Sequence, residues 1–207
     1  MADTLSNTAN GGLIVAVDGP SGTGKSTMCR ALAKRLDAKY VDTGAMYRVA
    51  TLAVLRAGVD PADTAKVIEA TADLPLQVSD DPDSTEVLFA GEDVKGEIRG
   101  AEVTKHVSAV SAIPEVRVNL VELQRKLARE AGRAIVEGRD IGTVVLPDAP
   151  AKVFMTASAE VRAKRRYDQD IAAGREADYD AVLVDTSEMT PDEVLAALTE
   201  VVERSAR

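Results

Sequence analysis

A chain of 207 residues with 45% hydrophobic content can bury one sizeable core and still carry a small insertion. Aromatics make up 3% and Trp is absent, so that core must be built from Ala, Val, Leu and Ile. A net charge of -9 argues against a polyanion-binding surface, which needs clustered excess Lys and Arg, but it allows a small anionic ligand held by a few convergent cations.

Residues 1–12 have neither a basic nor an apolar region of the secretory kind and are expected to form a disordered tail. Leu13–Asp18 is a short continuous apolar run, a predicted strand that ends in a Gly-rich turn. Lys25–Asp37 follows with Met28, Ala31, Leu32 and Leu36 at helical spacing. Cys29 falls on the inner face of this helix and is the only cysteine, so no internal disulfide forms. Lys39–Gly44 reads as a second strand, and Ala45–Gly58 as a second helix with its glycine stop. This β-α-β-α order predicts a parallel sheet with crossovers.

The pattern then changes. Leu74–Asp81 and Thr85–Val94 are β-rich runs around an Asp-Pro-Asp-Ser turn, which predicts an antiparallel hairpin inside a polar-loop-rich insertion from about Val59 to Ile113. Pro114–Gly132 resumes as a long helix, with proline in the first turn and glycine as the stop. Strands at Arg133–Gly138 and Ala151–Thr156 follow. After them come a helix from Ser158 to Gly174, a strand at Ala181–Ser187, and a closing helix capped by Thr190 with Pro191 in its first position. The fold class is therefore α/β: a three-layer α/β/α core (13–58 and 114–207) around a five-stranded parallel sheet, with an inserted lobe (59–113) that holds a small antiparallel sheet. No apolar run is long enough to span a bilayer, so a cytoplasmic protein with neither membrane nor nucleic-acid partners is expected.

Gly19–Ser26, "GPSGTGKS", matches G-x-x-x-x-G-K-[ST] between a strand and a helix. Glycines let backbone N–H groups converge on phosphate oxygens, and the helix N-terminus favours negative charge. Lys25 reaches the outer phosphates and the Ser26 hydroxyl can ligate Mg²⁺. No base-reading Asn-Lys-x-Asp and no apolar strand ending in a conventional Walker B Asp is present; the third core strand reads "AIVEGRD", Ala134–Asp140. Arg48 and Arg139 instead follow predicted strand ends, on the same sheet edge as the phosphate loop. There they could hold a second anion facing the first. Transfer to an acceptor that is itself a phosphate needs positioning and charge neutralisation, and no general base.

Five segments, "VAVDGPSGTGKST", "VDTGAMYR", "GEDVKGEIR", "SAIPEVR" and "VEGRDIGTVVLPDA", together resemble the bacterial cytidylate kinases, P-loop nucleoside monophosphate kinases that phosphorylate CMP and dCMP with ATP. The resemblance runs from about Leu13 to Gly174 and resumes in the last strand and helix. It implies that the insertion is the lobe that binds the monophosphate, with ATP as co-substrate and Mg²⁺ as cofactor. ATP would be held by Gly19, Pro20, Ser21, Gly22, Thr23, Gly24, Lys25, Ser26 and Thr27, with Arg165 on a later helix touching the adenine or the donor phosphates. Arg48, helped by Arg139, would bind the acceptor phosphate beside Thr43 and Tyr47, so Lys25, Arg48 and Arg139 would carry catalysis. The same resemblance assigns the cytosine to Asp140 and Arg117, with Ser108 nearby. A carboxylate accepts from the exocyclic amine and a guanidinium donates to N3 and O2, so uracil would leave Asp140 facing an oxygen. The expected partners are small-molecule nucleotides, and a monomer is expected.

Kinases of this kind carry a lid between that later helix and the last strand, rich in Arg and Asp. Here the interval is only "READYDAVLVDTSEMT", Arg175–Thr190, and after Tyr179 no arginine occurs until Arg204. A lid absent from the printed chain predicts a break in the backbone between Asp180 and Asp185. Two alternatives to the kinase reading follow: a nucleotide-binding but catalytically impaired lidless form, and a P-loop kinase for another small acceptor.

Overall fold

The computed structural model describes residues 12–164 and Thr190. In chain order it contains β1 (Leu13–Asp18), α1 (Lys25–Arg35), β2 (Lys39–Asp42), α2 (Thr43–Arg56), α3 (Thr64–Thr71), β3 (Leu76–Val78), β4 (Val87–Phe89) and β5 (Glu92–Asp93). These are followed by α4 (Ala101–Ser111), α5 (Pro114–Ala131), β6 (Arg133–Glu137) and β7 (Ala151–Phe154). Contacts divide the chain into two compact units: the residues up to Gly19 with Gly24–Met155, and Pro20–Thr23 with the chain from Thr156 onward.

The first unit is built on a parallel sheet in the order β2-β6-β1-β7. Alternation along the strands sorts their side chains onto two faces. Ile14, Ala16, Val41, Ala134 and Val136 point into a core shared with Met46, Ala50 and Val54 of α2 and with Val116, Leu120 and Ala128 of α5. The alternate residues Val15, Val17, Tyr40 and Ile135 meet Cys29 and Ala33 of α1 on the other face. Helices thus cover both faces, giving the expected three layers. Register brings the carboxyl ends together: Val17 lies opposite Glu137, Asp42 opposite Glu137, and Asp18 opposite Phe154. Asp18, Asp42 and Glu137 therefore crest one edge of the sheet.

The insertion is richer in regular structure than the sequence pattern indicates. Its antiparallel sheet has three strands, β3-β4-β5, because the run Thr85–Val94 folds back on itself at Ala90 and Gly91, both with positive φ. The expected hairpin around Asp81–Ser84 is present as β3 and β4. Two helices join it, α3 behind an Asp63 cap and α4 after Gly100. The lobe packs on the face of α2 that the sheet does not use: Ala45, Val49 and Leu52 meet Val87, Val94, Ile98 and Val103. α2 starts at Thr43, two residues earlier than expected, because the Asp42 carboxylate accepts from the Ala45 N–H at 3.0 Å and caps it there.

In the second unit, Ser158 caps a helix as expected, accepting from the Val161 N–H at 3.3 Å. The tail, Arg165, the fifth strand, the closing helix, the lid interval and the backbone break at Asp180–Asp185 all lie outside the described residues. Among those described, no helix is long and apolar enough to cross a membrane.

Candidate active site

β1 delivers the chain to the phosphate loop through Gly19, whose φ of 147° suits glycine. A Cβ there would sit 2.1 Å from the Met155 carbonyl oxygen, so no side chain fits. α1 begins after Gly24 with no side-chain cap and no acidic residue in its first turn. A helix start so arranged keeps its positive end for an external anion. Lys25, in that turn, is buried. Burial pulls its pKa down, and the Glu137 carboxylate opposes that shift while Arg139 adds to it. Within the second unit, Thr23 donates to the Pro20 carbonyl at 3.1 Å.

Glu137 is the residue that motif reading missed. It ends β6 and is buried, and its carboxylate accepts from Ser26 Oγ at 2.9 Å and from Tyr40 Oη at 2.6 Å. Burial, followed by the charge of Asp42, holds its pKa above the usual carboxylate range, against the pull of these two donors and Lys25. Burial likewise pushes the Tyr40 hydroxyl up, and the Arg30 guanidinium stacks on its ring at 4.3 Å. The signal in the sequence was an acidic residue closing an otherwise apolar central strand.

Next to Glu137, the backbone turns at Gly138. A Cβ there would lie 2.5 Å from Ile141 Cδ1 and 2.8 Å from Thr43 Oγ1, so the close approach requires glycine. Thr43 is buried and donates to the Glu137 carbonyl at 2.7 Å, bracing the start of α2 against the end of β6. Arg139 is exposed on the turn. Asp140 accepts from Arg117 Nη2 in a half-buried ion pair, and the same guanidinium lies 5.9 Å from the centre of the Tyr47 ring. Beneath that ring, Gln124 of α5 approaches the Tyr47 hydroxyl without hydrogen-bond geometry; both groups are buried, with no other hydrogen-bond partner among the described residues.

The expected cytosine readers Arg117 and Asp140 are thus brought together, with Tyr47 beside them. Ser108 is exposed on α4. Arg48 points into the insertion, where Nη1 donates to the Ile98 carbonyl at 3.0 Å and to Thr104 Oγ1 at 3.1 Å. Ser26 and Thr27 are exposed at the start of α1. Among the described residues no group of three His, Cys, Asp or Glu could hold a metal ion. A hard cation could still find Ser26 Oγ and a Glu137 oxygen side by side.

Comparison with known proteins bears on these observations. The cytidylate kinase family profile matches residues 15–183. A cytidylate kinase from Corynebacterium efficiens is 64% identical over 223 positions, covering 95% of this chain and 97% of the relative. One from Rhodococcus jostii is 62% identical over 173 positions, 84% of this chain and 76% of the relative. The first alignment is longer than this chain. It uses 95% of 207 residues, about 197, so about 26 of its 223 positions have no counterpart here inside the matched span. A solved shikimate kinase from Bacteroides thetaiotaomicron overlaps at a TM-score of 0.36 and 14% identity, over 94% of this chain and 80% of its own; a likeness of that size carries no argument.

Proposed function

The chain belongs to the cytidylate kinase family, and we propose that it moves the γ-phosphoryl group of ATP to CMP or dCMP at the sheet edge formed by Lys25, Glu137, Arg139, Asp140 and Arg117. In the step itself, an oxygen of the acceptor phosphate forms a bond to the γ-phosphorus as the bond to the β–γ bridging oxygen breaks, giving CDP or dCDP and ADP. The acceptor oxygen is already anionic near neutral pH, so the protein supplies position and charge.

Lys25 and the start of α1 would hold the donor phosphates. Arg139, close enough for its charge to bear on Lys25, would stand between donor and acceptor. Arg48, which meets Ile98 and Thr104 of the insertion, would bind the acceptor phosphate. Asp140 and Arg117 would read the cytosine edge, over the Tyr47 ring. Ser26 and Glu137, side by side, would hold a Mg²⁺ ion brought with the nucleotide, and that ion would supply positive charge to the phosphates.

The observation that carries this reading is the Arg117–Asp140 pair, one residue beyond Arg139 on the turn that follows Glu137. A coupled ADP-release assay with CMP, dCMP, UMP and AMP tests it. Turnover is expected with CMP or dCMP, with UMP and AMP poorer by about 10² or more. Turnover that favours AMP, or CMP binding with no CDP formed, would overturn it.

A further inference from the structure

We infer that Asp18 is a positioning residue that ties the orientation of Asp140, and with it the choice of base, to the strand that carries the phosphate loop. The inference rests on the proposed reading of Asp140 as a cytosine contact. Asp18 is the last residue of β1 and is buried, and its side chain is engaged by the turn that follows β6. Its two carboxylate oxygens accept one backbone donor each: Oδ1 from the Ile141 N–H at 2.7 Å and Oδ2 from the Gly142 N–H at 2.9 Å. These partners lie 123 and 124 residues away in sequence.

The Ile141 N–H belongs to the peptide plane whose other end is the Asp140 carbonyl. That carbonyl accepts from the Val144 N–H at 2.8 Å within the short π-helical turn Ile141–Val145. The plane is therefore pinned at both ends, from β1 on one side and from its own turn on the other. With both bonds in place the peptide plane is held, which narrows the range of ψ open to Asp140 and so the directions from which its carboxylate meets Arg117. Asp18 is fixed in turn by its own backbone, which lies in the sheet: its carbonyl accepts from the Met155 N–H at 2.7 Å. A Cβ on Gly142 would lie 3.4 Å from Asp18 Oδ2, an ordinary van der Waals contact that places this backbone directly against the carboxylate.

Asp18→Asn keeps the shape but offers one acceptor and one NH₂ group to two N–H donors, so one of the two contacts becomes repulsive. The expected signature is loss of discrimination. The ratio of kcat/KM for CMP to that for UMP should fall by about tenfold or more, equivalent to about 1.4 kcal/mol. The dissociation constant for ATP, measured by calorimetry on the full chain without acceptor, should stay within about threefold. Asp18→Ser leaves one short acceptor where two N–H donors need one each and should show the same pattern, so the test survives if Asp18→Asn does not fold. An unchanged CMP/UMP ratio in whichever variant folds overturns the inference. So does a loss shared equally by ATP binding and both acceptors, which is what a merely structural role gives. The wild-type chain run in parallel separates the two ideas. If it makes no CDP, the kinase reading fails; if it makes CDP while the variants keep its selectivity, only the Asp18 inference fails.

Discussion

Tyr40→Phe removes one atom from the buried cluster around Glu137, and its effect can be worked from the structure. Tyr40 is about 1% exposed, so Phe keeps its packing and the ring on which Arg30 stacks. What is lost is the 2.6 Å bond from the hydroxyl to Glu137. A hydrogen bond to a charged group contributes about 1.5–3 kcal/mol, and a neutral one about 0.5–1.5 kcal/mol. At a pH above the folded-state pKa of Glu137, the variant should lose about 2 kcal/mol by urea unfolding, or about 4–8 °C in Tm for a chain of this size.

The pH dependence gives the sharper test. The Glu137 pKa is raised in the folded protein above its ordinary value of 4.5, so the folded state holds this proton more tightly than the unfolded chain. Glu137 therefore removes stability as pH rises from about 4.5 through its folded-state pKa, and not below. The Tyr40 hydroxyl opposes that loss by stabilising the carboxylate, so the Phe variant should suffer most above this window. Below pH 4.5, where the carboxyl is protonated in both states, its penalty should shrink to the neutral-bond range. A penalty under about 0.5 kcal/mol above that folded-state pKa, or one that is flat from pH 4 to 8, would refute the claim that Tyr40 supports a buried charge.

Glu137→Gln should leave Tm at pH 8 equal or higher, since a buried charge is removed, while turnover or apparent Mg²⁺ affinity falls by about 10–100-fold; full activity with unchanged metal dependence would remove Glu137 from the site. Cys29 is 2% exposed and its pKa is pushed up to about 12 from 9.0. At pH 8 its thiolate fraction should be lower by about 10³, so a chromogenic disulfide reagent should label it only after unfolding, and rapid labelling of the native chain would refute that placement. Grafting the C. efficiens relative's unmatched residues into the Arg175–Asp185 interval should raise kcat by about 10³ or more with little change in CMP affinity, if they supply charge-clamping arginines; equal turnover with and without the graft would show that this chain needs no such segment.

The elements that the sequence revealed most fully are those whose signals are local. The boundaries of β1 came out unchanged because an apolar run meets a glycine turn, and α5 was bounded by Pro114 and Gly132. The motif Gly19–Ser26 was legible because its residues are contiguous. The split of Thr85–Val94 into two strands was not, because the turn uses Ala90 at a φ of 52°, where no Asn-Gly or Asp-Gly announces a reversal. The early start of α2 was hidden by Gly44, which reads as a turn but lies inside a helix that Asp42 has already capped. Arg117 and Asp140 were found only through family resemblance. Glu137, Tyr40 and Asp18 were missed because each finds its partner 97 to 124 residues away, and no window of sequence holds both.

Those long-range contacts also explain how an anion site can stand on a chain of net charge -9. Three carboxylates crest the sheet edge, and left to themselves they would repel a nucleotide. Each is engaged by donors from inside the fold. Asp18 takes two backbone N–H groups, Asp42 takes the Ala45 N–H and faces Arg99 at 3.7 Å, and Glu137 takes two hydroxyls. The same edge carries Lys25 and Arg139, whose charges act beside those of the carboxylates. The carboxylates thus brace the start of α2, the Asp140 peptide and Ser26 in turn. Removing a partner from any one of them should weaken binding by freeing a negative charge as well as by loosening a side chain, and the first effect should fade as salt is raised while the second should not.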